Sequence, residues 1–286
     1  MDGVYEKIMS IKGSDDYREI AKRWRYLSEN IKKKPTDEPI ILPDMLWVAK
    51  SGTGITSLLK LTAEYLSKLD NLMEFYGDVK FFEFLLSYCP PDHSFTELNR
   101  LMDEVHNAAG FRSEFKGIIH INIDEWLRHY EEKHFISFME YLSAHSDNWL
   151  IILSVSSANR ELVHNLNAFL SMYLRIETIK IELPKTEELF GYIERKLGEY
   201  GLSLTDDAKA LLYKTIETIR RNKYFDGYKT LRLLCQDIVY DVFSKERVGG
   251  DTLDANAIAK FASDGEYIKR MLYNFERVAR KIGFEQ

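Results

Sequence analysis

Residues 45 to 56 have the sequence Met45-Leu46-Trp47-Val48-Ala49-Lys50-Ser51-Gly52-Thr53-Gly54-Ile55-Thr56. Its apolar start, Met45 to Val48, predicts a buried strand, and Ser51 to Gly54 reads as a glycine-containing turn. The apolar spacing that follows predicts a helix from about Thr56 to Leu69. A strand, a glycine loop and a helix in this order are what a phosphate-binding loop requires.

This loop departs from the usual phosphate-binding pattern at its charged position. Gly52, Gly54 and Thr56 fit the pattern G-x-x-x-x-G-K-[ST], but Ala49 stands at the leading glycine and Ile55 at the lysine. Because that lysine neutralises the β- and γ-phosphates, its loss lowers phosphate affinity by roughly two orders of magnitude. Two interpretations stay open, a weakened phosphate site and a plain strand-to-helix turn without a ligand.

A phosphate site here would use the loop and the first helical turn. Glycines admit a close approach of the backbone, and a helix start carries partial positive charge. The residues that would contact ATP or ADP are Lys50, Gly52, Thr53, Gly54, Ile55, Thr56 and Ser57. Lys50 matches the first lysine of a loop variant, K-G-G-x-G-K-[ST], and could supply the missing charge. The alternative is that Lys50 is a solvated loop lysine.

The pair Asp124-Glu125 is the strongest chemical feature of the sequence. It follows the apolar run Ile118 to Ile123, which predicts a strand that ends at the two carboxylates. In a nucleotide site, Asp124 and the hydroxyl of Thr56 would hold Mg²⁺, and Glu125 would polarise the attacking water as the catalytic residue. The alternative is that the two acidic residues only favour the start of a helix.

Two polar residues, His120 and Asn122, interrupt this apolar strand. They share strand parity with Asp124, so all three side chains are expected on one side. Polar groups in a central strand need hydrogen-bond partners. We expect satisfied core groups here, the alternative being that they repack the space near Ile55.

Strands and helices alternate up to Pro184 and then only helices are predicted. This pattern predicts an α/β fold with a parallel five-stranded sheet and flanking helices, followed by an all-helical lid. The predicted strands are Met45–Val48, Val79–Tyr88, Ile118–Ile123, Trp149–Val155 and Ile176–Leu183, and the lid helices are 185–200, 205–222, 228–245 and 254–283. Further helices are predicted at 14–33, 95–109, 135–142 and 160–173. The predicted domains are an N-terminal helical segment at 1–39, the core at 40–184 and the lid at 185–286.

Composition narrows the functional classes. The net charge of −6 and the pI near 5.7 argue against a general nucleic-acid binder. Cys89 and Cys235 are far apart, which indicates buried packing residues rather than a disulfide framework. No apolar run reaches the roughly 20 residues that span a bilayer. We therefore expect a cytoplasmic protein without a membrane segment.

Several stretches of the sequence resemble the AAA+ P-loop ATPases, in particular the CbxX/CfqX and stage V sporulation protein K type. The resemblance rests on the loop at 49–56, on Gly117 to Glu125 and on the lid segments 183–208 and 225–232. It implies a polar sensor residue at Ser154 or Ser156, with Ser156 also contacting the nucleotide. It also implies that Lys229 stands where the family has a second sensor arginine, with Arg232 following it.

Further family features are altered in this sequence. The resemblance places the arginine finger near Met172 to Leu174, where no arginine stands, although Arg175 is close by. The segment Cys89 to Phe95 differs from the pore loop of the family. The lysine, the finger and the second sensor are therefore all changed, which predicts a degenerate Walker A motif and relaxed selection on hydrolysis.

The altered motifs lead to one expected function and to alternatives. We expect ATP or ADP and Mg²⁺ to bind weakly or not at all, and the protein to act through protein contacts, either with AAA+ homologues or by self-assembly as an oligomer. The first alternative is a working ATPase that remodels proteins, with Lys50 and Arg175 compensating. A second, a nucleic-acid loader or initiator, would need a basic wing or an added DNA-binding motif, and the sequence has neither.

Overall fold

The computed structural model describes residues 2–11, 13–34, 40–50, 52–69, 79–88, 90, 99–100, 103, 117–144, 149–156, 159–222, 224–244, 251–262 and 264–272. By its internal contacts the chain divides into two compact units. The first comprises Met1–Lys50 and Ile55–Glu182, and the second comprises Ser51–Gly54 and Leu183–Gln286. The N-terminal helices thus group with the first unit, while the predicted domain bounds stay a prediction.

The first unit is built on one parallel sheet between two layers of helices. Its strands are β1 (Asp44–Ala49), β2 (Lys80–Leu85), β3 (Gly117–Asn122), β4 (Trp149–Val155) and β5 (Ile176–Ile181). Its helices are α1 (Asp2–Ser10), α2 (Asp15–Lys33), α3 (Ile55–Leu66), α4 (Lys133–Ser143) and α5 (Arg160–Leu170). The strand order is β2-β3-β4-β1-β5 and every pairing is parallel. The predicted fold class, a five-stranded parallel sheet with flanking helices, is confirmed.

Each face of this sheet carries its own hydrophobic core because successive strand residues point to opposite faces. On one face, Trp47, Ile118 and Ile152 pack against α1, α2 and α3 to form the first core. On the other face, Leu46, Ile121 and Leu153 are representative of a second core that packs against α4 and α5. The apolar runs that the sequence shows in β3 and β4 are therefore buried on both sides, as a central parallel strand requires.

The strand register places the carboxyl ends of the central strands at one edge of the sheet. Val48 of β1 pairs with Val155 of β4, and Asn122 of β3 pairs with Ser154 of β4. The loop after β1, the turn after β3 and the segment after β4 all leave from this edge. In open α/β sheets, ligands bind at this edge.

The second unit is mainly helical. Its helices are α6 (Thr186–Gly198), α7 (Asp206–Ile219), α8 (Gly227–Phe243) and α9 (Ala255–Ala262), and residues 265–272 are also helical. They enclose a third core, to which each of the four named helices contributes a fully buried side chain: Leu189, Leu212, Leu231 and Ile258. None of the helices in the described parts of the chain is long and apolar enough to cross a membrane.

Two expectations for this unit are wrong. A pair of two-residue parallel strands, β6 (Ser203–Leu204) and β7 (Thr252–Leu253), lies beyond Pro184, where only helices were predicted. The predicted helix 254–283 is interrupted, because Asp264 is non-helical. The carboxylate of Asp264 accepts hydrogen bonds from the N–H groups of Glu266 and Tyr267, and a new helix begins there. The part of that prediction after residue 272 lies outside the described residues.

Candidate functional site

The loop after β1 has the backbone of a tight glycine turn. Gly52 and Gly54 adopt φ values of 81° and 88°, a left-handed conformation that favours glycine. Helix α3 begins at Ile55, the position of the missing lysine. The Ile55 side chain is half-buried and packs against the first core. Thr53 is half-buried, whereas Lys50, Thr56 and Ser57 are exposed.

Within the second unit, Gly52 and Gly54 pack against the start of α8. The carbonyl of Gly52 accepts the N–H of Tyr228 at 3.2 Å. A Cβ on Gly52 would lie 2.1 Å from the carbonyl carbon of Asp226, and a Cβ on Gly227 would lie 1.9 Å from the Gly52 oxygen. Glycine at both positions therefore allows two backbones to meet, a role that the phosphate-loop pattern does not predict.

The lysine at the predicted second sensor position is engaged at the same end of α8. The Nζ of Lys229 lies 3.5 Å from the carboxylate of Asp226, and about half of the lysine side chain is exposed. Arg232 is exposed one turn further along α8. The assignment of Lys229 to nucleotide binding stays a prediction.

The hydroxyl of Thr56 meets a carboxylate that the sequence analysis did not single out. Thr56 Oγ1 donates a hydrogen bond of 3.0 Å to Glu83 Oε1 on β2. The imidazole of His120 and, more weakly, the Thr56 hydroxyl lower the pKa of Glu83, and they outweigh the opposing effect of burial. Glu83 is therefore a carboxylate at neutral pH, positioned at the first turn of α3.

Glu83 begins a row of polar side chains that crosses three strands. Its Oε1 lies 3.5 Å from His120 Nδ1 on β3, and His120 Nε2 is 2.9 Å from Ser154 Oγ on β4. His120 and Ser154 are buried, and the ring of Trp47 lies 6.3 Å from that of His120. Among the described residues, neither His120 Nδ1 nor Trp47 Nε1 has a hydrogen-bond partner. The expectation that His120 is a fully satisfied core group is thus met at one ring nitrogen and not at the other.

Asp124 lies just beyond β3, at the start of a 3₁₀ turn, Asp124–Trp126. Its Oδ1 accepts the N–H of Ser156 at 2.5 Å and the Ser156 hydroxyl at 2.9 Å. Its Oδ2 accepts a hydrogen bond from the side-chain amide of Asn122 at 3.4 Å, and the backbone N–H of Asp124 donates to the side-chain oxygen Oδ1 of Asn122 at 2.9 Å. The structure thus brings Asp124 and Ser156 together, while Ser154 faces His120.

Glu125 points toward the end of β2. Its Oε2 accepts the backbone N–H of Tyr88 at 2.7 Å, and the side chain is exposed. The Tyr88 ring packs against Trp126 and His129, with centroids 5.1 Å and 4.1 Å away, and its hydroxyl donates to Glu132. Glu125 is therefore held by a backbone donor on a segment that aromatic contacts keep in place.

Other predicted positions lie apart from these polar contacts. Met172 and Arg175 are exposed after α5. Cys89 and the segment 91–95 lie outside the described residues, as does most of the predicted helix 95–109, of which residues 99, 100 and 103 are helical. In the described part of the chain, no group of three or more His, Cys, Asp or Glu side chains could hold a metal ion. Thr56 and Asp124 as Mg²⁺ ligands therefore stay a prediction.

Sequence reasoning missed Glu83 and Tyr88. A signal for Glu83 was present, because it is the one charged residue in the apolar run Phe81 to Leu86. A charge in such a strand indicates a side chain that finds polar partners at the sheet surface. Tyr88 contributes mainly its backbone N–H, which no residue pattern reveals.

Comparison with known proteins supports the fold. No protein-family model matches the sequence, and no curated protein matches it. Among solved structures, the Thermotoga maritima RuvB Holliday junction branch migration motor is similar, with 13% identity, 88% of this chain and 72% of that chain covered, and a TM-score of 0.52. PCH-2 of C. elegans is similar with 16% identity, 95% and 72% coverage, and a TM-score of 0.55. The chain thus has the AAA+-type fold, a parallel sheet followed by helices.

Proposed function

We propose that this protein is a degenerate AAA+-type protein that binds ATP or ADP with Mg²⁺ weakly or not at all and hydrolyses ATP slowly or not at all. In this proposal it acts in the cytoplasm through contacts with other proteins, either AAA+ homologues or further copies of itself. The resemblance to the CbxX/CfqX and stage V sporulation protein K type belongs to the same proposal. The fold alone does not distinguish this function from that of a working ATPase, so the proposal rests on the site.

The main observation behind the proposal is that Ile55, at the lysine position, packs against the first core. An aliphatic side chain stands where the phosphate-binding lysine is expected, and it packs against the first core instead of extending from the loop. A lysine ammonium at that place would neutralise phosphate charge, which no aliphatic group can do. The loss is therefore one of electrostatic stabilisation, both of the bound nucleotide and of the transition state.

Neighbouring groups give further support. The Thr56 hydroxyl donates to Glu83, both oxygens of Asp124 accept protein hydrogen bonds, and Glu125 accepts from Tyr88. Each of these groups already has an intramolecular partner, so binding of Mg²⁺ and nucleotide would have to replace or share those contacts. The residues present therefore fit a magnesium nucleotide poorly.

The alternative partner class is nucleic acid, since RuvB is a Holliday junction motor. The acidic balance of this chain, with a net charge of −6, disfavours binding to a polyanion. Protein contacts are therefore the partner class that we propose.

Calorimetric titration with Mg-ATP tests the proposal by restoring the missing charge. Ile55→Lys should bind ATP roughly tenfold to a hundredfold more tightly than the unmodified chain, because a charged hydrogen-bonding contact is regained. Ile55→Met is the matched control, since methionine is similar in length to lysine and carries no charge. This variant should bind ATP no better than the unmodified chain. Tight binding by the unmodified chain, equal to that of Ile55→Lys, would contradict the proposal.

A further inference from the structure

The carboxylate of Glu83 lies beside the first turn of α3, the end of the helix that a phosphate contacts in a phosphate-binding loop. The first turn of α3 contains no acidic residue of its own, and the carboxylate of Glu83 reaches it from β2 through the Thr56 hydroxyl. Negative charge near a helix N-terminus is favourable because that end carries a partial positive charge. In a phosphate-binding loop the ligand supplies this negative charge. Here a side chain of the protein supplies it.

The surroundings of Glu83 keep the carboxylate both charged and in place. His120 lies 3.5 Å away on the neighbouring strand and Thr56 donates to it from α3. Lys60, one turn beyond Thr56, adds a favourable electrostatic interaction. About one-third of the Glu83 side chain is exposed. Its charge therefore acts on the solvent-facing start of α3 as well as on His120.

Two changes at one site then act in the same direction. Ile55 removes a positive charge from the first residue of α3, and Glu83 adds a negative charge beside the second. A unit charge within about 10 Å of a bound phosphate changes its affinity by roughly tenfold at the effective dielectric constant of a protein surface. The two effects should be of comparable size and should add.

We propose that Glu83 is an intramolecular anion that opposes phosphate binding at the start of α3, and that it determines the weak nucleotide affinity together with Ile55. This inference rests on the proposed function, because it explains the same weak site through a second residue. This role differs from that of a metal ligand. As a metal ligand, Glu83 would strengthen the binding of Mg-ATP through its charge.

The test is a calorimetric titration of Mg-ATP into the unmodified chain, Glu83→Gln, Ile55→Lys and the double variant. Glutamine keeps an oxygen that accepts from Thr56 and removes only the charge. Glu83→Gln should raise ATP affinity roughly tenfold both in the unmodified chain and when combined with Ile55→Lys, so the double variant should bind most tightly. Glu64→Gln is the matched control, a charge loss on the same helix about 12 Å further along. It should change the affinity much less than Glu83→Gln, because Glu64 is exposed to salt screening and is paired with Lys68.

The outcomes separate this inference from the proposed function. If the unmodified chain binds tightly, the proposed function fails, whereas the comparison of Glu83→Gln with Glu64→Gln still decides the role of Glu83. Equal affinities for those two variants, or weaker binding by Glu83→Gln, would overturn the inference, the weaker binding indicating a metal ligand. Circular dichroism melts establish that each variant is folded, and Glu83→Ala repeats the test if Glu83→Gln is not.

Discussion

The carboxylate of Asp124 accepts two hydrogen bonds from Ser156, one from the backbone N–H at 2.5 Å and one from the hydroxyl at 2.9 Å. This contact joins the turn after β3 to the segment after β4, which are 32 residues apart in sequence. Both segments leave the same edge of the sheet. An intramolecular donor pair thus holds the residue that the sequence predicts as a Mg²⁺ ligand.

Ser156→Ala removes the hydroxyl donor and keeps the backbone one. We expect the free energy of unfolding to fall by about 1 kcal/mol, because a hydrogen bond to a charged but solvent-accessible carboxylate is lost. Urea denaturation measures the change. Ser67→Ala, which removes an exposed hydroxyl that bonds only to a helix carbonyl, should change stability by less than about 0.5 kcal/mol. Equal effects of the two substitutions would show that the Asp124 contact adds nothing.

Gly227→Ala should destabilise the second unit by more than about 2 kcal/mol. Its φ of 49° is unfavourable for alanine, and the new Cβ would lie 1.9 Å from the Gly52 oxygen. Gly198→Ala is the control, since that glycine ends α6 and a Cβ there meets nothing within 4 Å. Thermal and urea unfolding should show Gly198→Ala unchanged or more stable. A Gly227→Ala protein as stable as Gly198→Ala would mean that the two glycine backbones do not meet.

His120 and Ser154 should be energetically coupled. Each of His120→Leu and Ser154→Ala leaves a buried polar partner unsatisfied, so each should cost about 2 kcal/mol of stability. The double variant removes both partners, and its cost should be smaller than the sum by about 1 kcal/mol or more. Urea denaturation of the four proteins gives the coupling energy. Strictly additive losses would exclude the hydrogen bond as a source of stability.

The contribution of Glu83 to stability should depend on pH. Its pKa is lowered in the folded protein, chiefly by His120, so its ionised form is the stabilised one. This contribution is fully present above the ordinary pKa of 4.5 and is lost as the pH falls through the lower folded value. Urea denaturation between about pH 3 and pH 7 should therefore show a shallower acid loss for Glu83→Gln than for the unmodified chain. Parallel curves for the two proteins would contradict this assignment.

The sequence predicts the sheet well because its central strands, β3 and β4, lie in long apolar runs. Ile118 to Ile123 and Trp149 to Val155 are buried on both faces, and such runs between helices leave a parallel sheet as the consistent arrangement. Helix α1 (Asp2–Ser10) was not predicted, because it buries only Val4 and Ile8 among its described side chains and is too short for a clear period. The strands β6 and β7 were missed because two residues carry no periodicity and their pairing is made by residues distant in sequence.

The sequence predicts which motif residues belong to the candidate site, but it does not predict which residues they contact. Gly52, Thr56, Asp124 and Glu125 follow from local patterns, whereas the sequence left Ser154 and Ser156 as alternatives and only the structure shows that Ser156 contacts Asp124. The contact between Glu83 and Thr56 could not be predicted from the sequence, since it depends on the packing of α3 on β2. The same holds for the approach of Gly52 to Gly227, which links residues 175 positions apart by chain folding alone.

Steady-state turnover of Mg-ATP by the unmodified chain measures directly whether this nucleotide site is degenerate. With Ile55 at the lysine position and no arginine at Met172 to Leu174, we expect turnover no higher than that of Glu125→Gln, since a finger alone contributes roughly a thousandfold in rate. Both proteins should remain at the background of a reaction without protein. Robust turnover by the unmodified chain that Glu125→Gln abolishes would contradict the degenerate assignment and establish a working ATPase.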